Sequence, residues 1–284
     1  MTMMKNLSGL STAAGIAVAL LVSASLGAQM DARQIVRRSI ATWERSMKAE
    51  RSYSYTERDQ QRHLDTGGIL KSEDVDVSQT IFVNGDPFQD HVEHNGAPLT
   101  RDEARKRMEK LLKRQNETKA EREARLANEK AERAFVMEVA DAFNFKLVGD
   151  DLINGRPAYI LDVTPRPGYA PRSKRARMFT KVAGTLWVDK EDFGWPKAKG
   201  RVVEAFAIGF IVARVQKGSH IEFTQTRLAD GVWVPNRVSI NANAKIFLIK
   251  RYDVDEVITY SDYQKAEPEA IASSAKPSHA PQAK

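Results

Sequence analysis

The chain has 284 residues, with 44 Lys/Arg against 37 Asp/Glu and a formal net charge of +7. The charge is spread along the chain and comes with no zinc-finger spacing and no aromatic RNA-binding motif, so no nucleic-acid partner is expected. With no cysteine, disulfides and a thiol nucleophile are excluded.

The N-terminus is read as a signal peptide over residues 1–28. Lys5 is the only charge in the first 30 residues, and the apolar run "AAGIAVALLVSASLGA" (13–28) follows it and ends in small residues. An uncleaved membrane anchor is the competing reading, because residues 10–28 carry no charge and approach the length of a span. Export to the periplasm is expected. A lipid anchor is not, since "SLGAQ" (25–29) lacks the cysteine it would require.

Residues 31–50 predict an amphipathic helix. Val36, Ile40, Trp43 and Met47 recur at helical spacing and form one stripe, so Trp43 is expected to be largely buried. Strand-like segments follow at 51–60 and 73–100, with Asn84-Gly85 and Asn95-Gly96 as hairpin turns. Within them, "DHVEH" (90–94) holds two histidines and two carboxylates. Strand alternation puts His91 and Glu93 on one face and His94 on the other, so no metal site is expected.

Residues 101–143 predict one long charged helix. Thr100 and Glu103 form a capping box, and Glu109/Lys113, Glu121/Arg125 and Glu129/Arg133 are favourable i,i+4 pairs. Its middle is polar all round, which fits a solvated bridge between parts of a sheet or an arm that meets a partner. Strands then resume at 143–149 and 156–165 around Asn154-Gly155. The basic loop "RPGYAPRSKRARMFTK" (166–181) is either solvated and mobile or a contact for the phosphates of lipid. More strands are read in "GTLWVDKED" (184–192), 196–228, 231–251 and 254–265, with Asp230-Gly231 pairing two of them. The Ala/Pro/Ser/Lys tail, 266–284, is expected to be disordered.

The fold class expected is α+β: a curved, mostly antiparallel sheet of about ten strands, an unclosed barrel, carrying the two helices. No nucleophile elbow, phosphate-binding loop or dinucleotide motif is present, no cofactor is expected, and the chain is not read as an enzyme. Every second residue of the sheet should line one face. One set comprises Leu186, Val188, Ile221, Phe223, Val238, Ile240, Ile246 and Leu248, while Trp187, Trp233 and Phe247 fall on the alternate phase.

An amphipathic first helix running into "RSYSYTERD", followed by "NGRPAYILDVTP", "GTLWVDKED", "GVWVPNRV" and "ITYSDYQK", resembles the outer-membrane lipoprotein-sorting family (LolA-like, with LolB-like carriers and RseB-like sensors) over residues 31–265. The resemblance implies an unclosed β-barrel with helices over its mouth, in one domain spanning residues 29–265. It also implies a binding role toward lipid or lipoprotein acyl chains, with the eight-residue aliphatic set as the lining of the cavity. The long charged helix departs from the compact lid helices of that family. This leaves a second reading open: a periplasmic sensor or scaffold that contacts a membrane-bound partner protein.

Overall fold

The computed structural model describes residues 31–65, 67–208, 213–246 and 250–266. The signal peptide, Leu248 and the tail beyond Ala266 lie outside these residues, and the side chain of Ile246 is likewise not described.

Helix α1 (Ala32–Glu50) forms where the apolar stripe predicts it. Its buried side is rotated from that stripe. Ile35, Val36 and Ile40 are buried, but so are Ser39, Thr42 and Ser46, while Trp43 and Met47 are only half-buried. The cause is close approach by small hydroxyl residues. Thr42 donates to the Asp192 carbonyl at 2.7 Å, and Ser46 Oγ accepts from the Trp233 amide at 3.2 Å. Trp43 rests against Trp195 instead, with ring centroids 6.5 Å apart.

The strands are β1 (Tyr53–Leu64), β2 (Leu70–Val83), β3 (Asp86–His94), β4 (Ala97–Pro98), β5 (Phe143–Ile153), β6 (Arg156–Pro165) and β7 (Val182–Asp189). They continue as β8 (Lys197–Val202), β9 (Phe206–Ile208), β10 (Ala213–Val215), β11 (His220–Arg227), β12 (Trp233–Ile246) and β13 (Lys250–Lys265). All pair antiparallel in one sheet of order β4-β3-β2-β1-β13-β12-β11-β8-β7-β6-β5, with β9–β10 branching from β12. Among the described residues β4 and β5 do not pair, so the sheet is open, as expected for an unclosed barrel. The Asn-Gly turns carry two positive φ angles each: 52° and 80° at 84–85, 51° and 75° at 95–96, 50° and 77° at 154–155. Two-residue hairpin loops that match strand twist need that geometry, and Asn-Gly adopts it with the least strain.

The charged segment is not one helix. It forms α2 (Arg101–Gln115) and α3 (Lys119–Arg133), then a 3-10 turn over residues 134–138 and the short α4 (Val139–Ala142). The break falls at residues 116–118 because Thr118 caps a second helix. Its hydroxyl accepts from the Glu121 amide, and the Glu121 carboxylate accepts from the Thr118 amide at 2.8 Å. Glu121 is therefore a cap residue, and Arg125 pairs with Glu117, Glu129 and Asp86 instead. Neither α2 nor α3 buries a residue.

Ion pairs attach these helices to the sheet. Arg107 grips the buried Asp90 through Nε and Nη2, and Arg114 lies over the Phe88 ring. Asp86, at the β2–β3 hairpin, accepts from Arg122 at 2.7 Å and Arg125 at 2.8 Å, with Arg51 at 3.5 Å. The basic loop is attached too. Tyr169 and the Arg172 amide donate to the buried Glu138, while Ala176 and Phe179 are buried against Ala142 and Phe143. The mobile-loop reading is thus corrected: the apolar residues between the charges anchor it.

Burial opposes ionisation of Asp86, and the hydrogen bonds from Arg122 and Arg125 more than offset it, holding its carboxyl down to about 2. A depressed carboxyl contributes stability that is complete above its unfolded value near 4 and is lost as pH falls toward 2. Asp86→Asn should destabilise the protein by on the order of 3 kcal/mol at pH 7. It should also flatten the acid limb of the stability curve. Urea unfolding at several pH values checks this, and parallel curves for the two proteins would count against it.

Candidate functional site

Residues directly opposite in an antiparallel pair share a face, so the register writes out that face row by row. One row runs Leu161–Leu186–Ala198–Phe223–Val238–Ile258–Asp59–Asp76 from β6 to β2. The next runs Val163–Gly184–Gly200–Ile221–Ile240–Glu256–Gln61–Asp74. Five of the predicted lining residues therefore lie in two adjacent rows, and Val188 lies on the same face beside Tyr159.

Their environments differ. Leu186 and Val188 are closed core, at 6 % and 0 % exposure. Phe223, Val238 and Ile240 are half-buried, and Ile221 is 38 % exposed. Helix α1 contacts β5, β7 and β12, and the 3-10 turn with α4 packs Phe135 and Val139 near Phe145 and Val163. Leu161, Leu186 and Val188 are closed over, while Val163 and these residues of β11–β12 are only partly covered. The result is an aliphatic stripe, Ile221, Phe223, Val238, Ile240 and Ile258, on three neighbouring strands and partly open.

Beyond Ile258 the same face changes character. Glu57, Asp59 and Glu256 follow on β1 and β13, next to Tyr55, Tyr260 and Tyr263. Burial raises all three carboxyls; the neighbouring Asp59 adds to this for Glu57 and Glu256, and Asp76 for Asp59. Glu50, at the end of α1, is pushed up by burial to about 7, with Arg133 opposing the change. Sequence reasoning missed this half because it followed apolar alternation alone. The alternate acidic residues of "YTERDQQ" (55–61) carried the signal.

The arrangement offers no nucleophile–base pair and is suited to holding an apolar chain beside hydrogen-bonding carboxyls and phenols. Two hollows away from the stripe are lined largely by charged and polar residues. One of about 530 Å³ on the opposite face is lined by Asp162, Thr185, Lys199, Arg201 and Glu222, with Ile221 at its rim. Another of about 540 Å³ is lined by Lys113, Arg114, Glu117, Arg125 and Glu129 on α2 and α3. His220 is an exposed strand residue. No helix among the described residues is long and apolar enough to cross a membrane.

No protein-family model and no curated protein sequence matches the chain. Among solved structures, the chain is similar to a LolA superfamily protein from Nitrosomonas europaea, at 14 % identity and TM-score 0.33, over 86 % of this chain and 97 % of that one. It is similar to a putative outer membrane lipoprotein-sorting protein domain from Vibrio parahaemolyticus at 9 % identity and TM-score 0.29, over 84 % and 97 %. It is also similar to a chain of the MucA/MucB complex of Pseudomonas aeruginosa, at 10 % identity and TM-score 0.21, over 81 % and 99 %. The family named from the sequence is also named among these structures, and likenesses of this size pass neither family membership nor function to this chain.

Glu50 gives a direct test of the buried acidic half. A carboxyl whose folded value is raised from 4.5 to about 7 costs stability increasingly as pH rises between those values. Each pH unit of that interval costs about 1.4 kcal/mol, and the partial solvent access of the side chain reduces the sum. Glu50→Gln should therefore raise stability at pH 8 by about 2 kcal/mol. It should leave stability at pH 4 nearly unchanged. Chemical unfolding at the two pH values measures the difference, and equal effects at both would show that Glu50 is not in a desolvated site.

Proposed function

We propose that this chain is a soluble periplasmic protein that binds lipid or lipoprotein acyl chains, as a carrier in outer-membrane lipoprotein sorting. The observation that supports it is the half-open aliphatic stripe on β11, β12 and β13, flanked by closed core on one side and by carboxyls and tyrosines on the other. Each CH₂ taken fully out of water contributes about 0.8 kcal/mol, so a chain of about 16 carbons has on the order of 10 kcal/mol to gain, of which the stripe supplies the share it covers. Non-directional burial of this kind needs no catalytic group. The stripe supplies the apolar floor, and the acidic rows supply polar partners for the linkage at the end of the chain.

The rival reading, a sensor or scaffold with a membrane-bound protein partner, draws on the charged hollow along α2 and α3. Those helices expose most of their charges, and their hollow is suited to an extended polar segment rather than to lipid.

The two readings separate on ligand uptake. The wild type should bind a fluorescent fatty-acyl probe, and Ile240→Glu should weaken that binding at least tenfold, because a charge placed against the chain must be desolvated. Circular dichroism should show the variant folded, since Ile240 is only half-buried. A folded wild type that ignores every acyl probe would sink the carrier reading and leave the sensor.

A further inference from the structure

Three of the five histidines lie on β1 and β3, and two of them converge. Simple alternation along "DHVEH" (90–94) would separate His91 from His94. A β-bulge prevents it. Ser78 pairs with His91 and Val77 with Glu93, which leaves Val92 as an extra residue on β3. The bulge returns His94 to the face of His91, opposite Asp76, and sends Glu93 to the other side. Bulges re-aim side chains in this way, and they recur where a strand builds a site.

The outcome is a compact set of ligating atoms. His94 Nδ1 stands 2.7 Å from Asp76 Oδ1, and His91 Nε2 stands 3.5 Å from the same oxygen. One ligand atom from each residue lies within 4.8 Å of the other two. Bonds of about 2.1 Å in a tetrahedron put ligand atoms about 3.4 Å apart. The Asp76–His91 spacing already meets that, and the Asp76–His94 contact needs only a small opening. All three side chains are partly solvent-accessible, so an ion has a path in. The ends of β2 and β3 that carry them are tied at Asn95, whose amide donates to the Val75 carbonyl and whose Oδ1 accepts from the Val75 amide, both at 2.7 Å.

We propose that Asp76, His91 and His94 form a binding site for a divalent cation of the zinc class. Two imidazoles and one carboxylate match the borderline preference of such ions, and three protein ligands leave one position for water. This site is separate from the aliphatic stripe, which lies on β11, β12 and β13, and it stands whether or not the stripe binds lipid.

The neighbour Asn95 sharpens the test. Its Nδ2 lies 3.0 Å from His94 Nε2. An ion on Nδ1 leaves the proton on Nε2, which then faces an amide donor. Ligating histidines are stabilised when that second N–H meets a carboxylate. Asn95→Asp supplies one and keeps the acceptor that holds the Val75 amide, so it should tighten the site.

The experiment is calorimetric titration of ZnCl₂ into the full chain, freed of metal by chelator and carrying no histidine tag. One equivalent should bind. His91→Ala, His94→Ala and Asp76→Asn should each weaken binding at least tenfold, Asn95→Asp should strengthen it several-fold, and His220→Ala should leave it unchanged. Cobalt in place of zinc should give the visible bands of a tetrahedral nitrogen and oxygen site, lost in His91→Ala. Circular dichroism should show each variant folded. The proposal fails if the wild type binds no zinc, or if binding is indifferent to His91→Ala and His94→Ala.

Discussion

Strands β4 and β5 are consecutive in the chain and stand at opposite ends of the sheet. Whatever joins them must cross an open sheet eleven strands wide, about 48 Å measured along the sheet at 4.8 Å per spacing. The connection is α2 and α3, two 15-residue helices of about 22 Å each, followed by the 3-10 turn and α4. The α2–α3 strap buries no residue fully, so apolar burial does little to hold it in place. Charge holds it. Asp86 and Asp90 are buried on the β2–β3 hairpin, where an unpaired carboxylate is costly. Arg107, Arg122, Arg125 and Arg51 pair with them and fasten the strap at the same time. Surface ion pairs contribute little singly; here the acceptors are buried and each takes more than one bond, which is where such pairs matter.

That solution leaves the helix-facing side of the sheet short of cover. Among the described residues the long amphipathic helix on the sheet is α1, about 28 Å in length and shorter than the ~48 Å of sheet. It closes the face where it contacts β5, β7 and β12, with the elements after the strap adding Phe135 and Phe179. Past them the aliphatic row continues to Ile258 with only partial burial and then turns acidic. Apolar floor, open flank and protonatable edge thus follow from one topological fact: the strap is too polar to serve as a lid.

Much of this was legible in residues. Asn84-Gly85, Asn95-Gly96 and Asn154-Gly155 fixed three hairpins because few other pairs tolerate two positive φ angles. Alternation placed Phe223 and Ile240 on one face, and the register bears this out. The failures have physical causes. Thr118 repeats the Thr-x-x-Glu pattern of Thr100, and charge pairing masked it, so the helix break was missed. Ser39, Thr42 and Ser46 are invisible to a hydrophobic stripe yet decide which side of α1 is buried, because small residues let backbones approach. The bulge at Val92 shifts parity by one residue, and no side chain in "DHVEH" announces it. Ion pairs between residues 86 and 125 are long-range and leave no periodic trace.

On this account the uncovered aliphatic rows take up an acyl chain. Native mass spectrometry of the protein released from the periplasm under gentle conditions tests that most directly. The account predicts a population carrying one lipid or acylated species, displaced by added fatty acid. A chain that emerges free of lipid and bound one-to-one to another protein would contradict it.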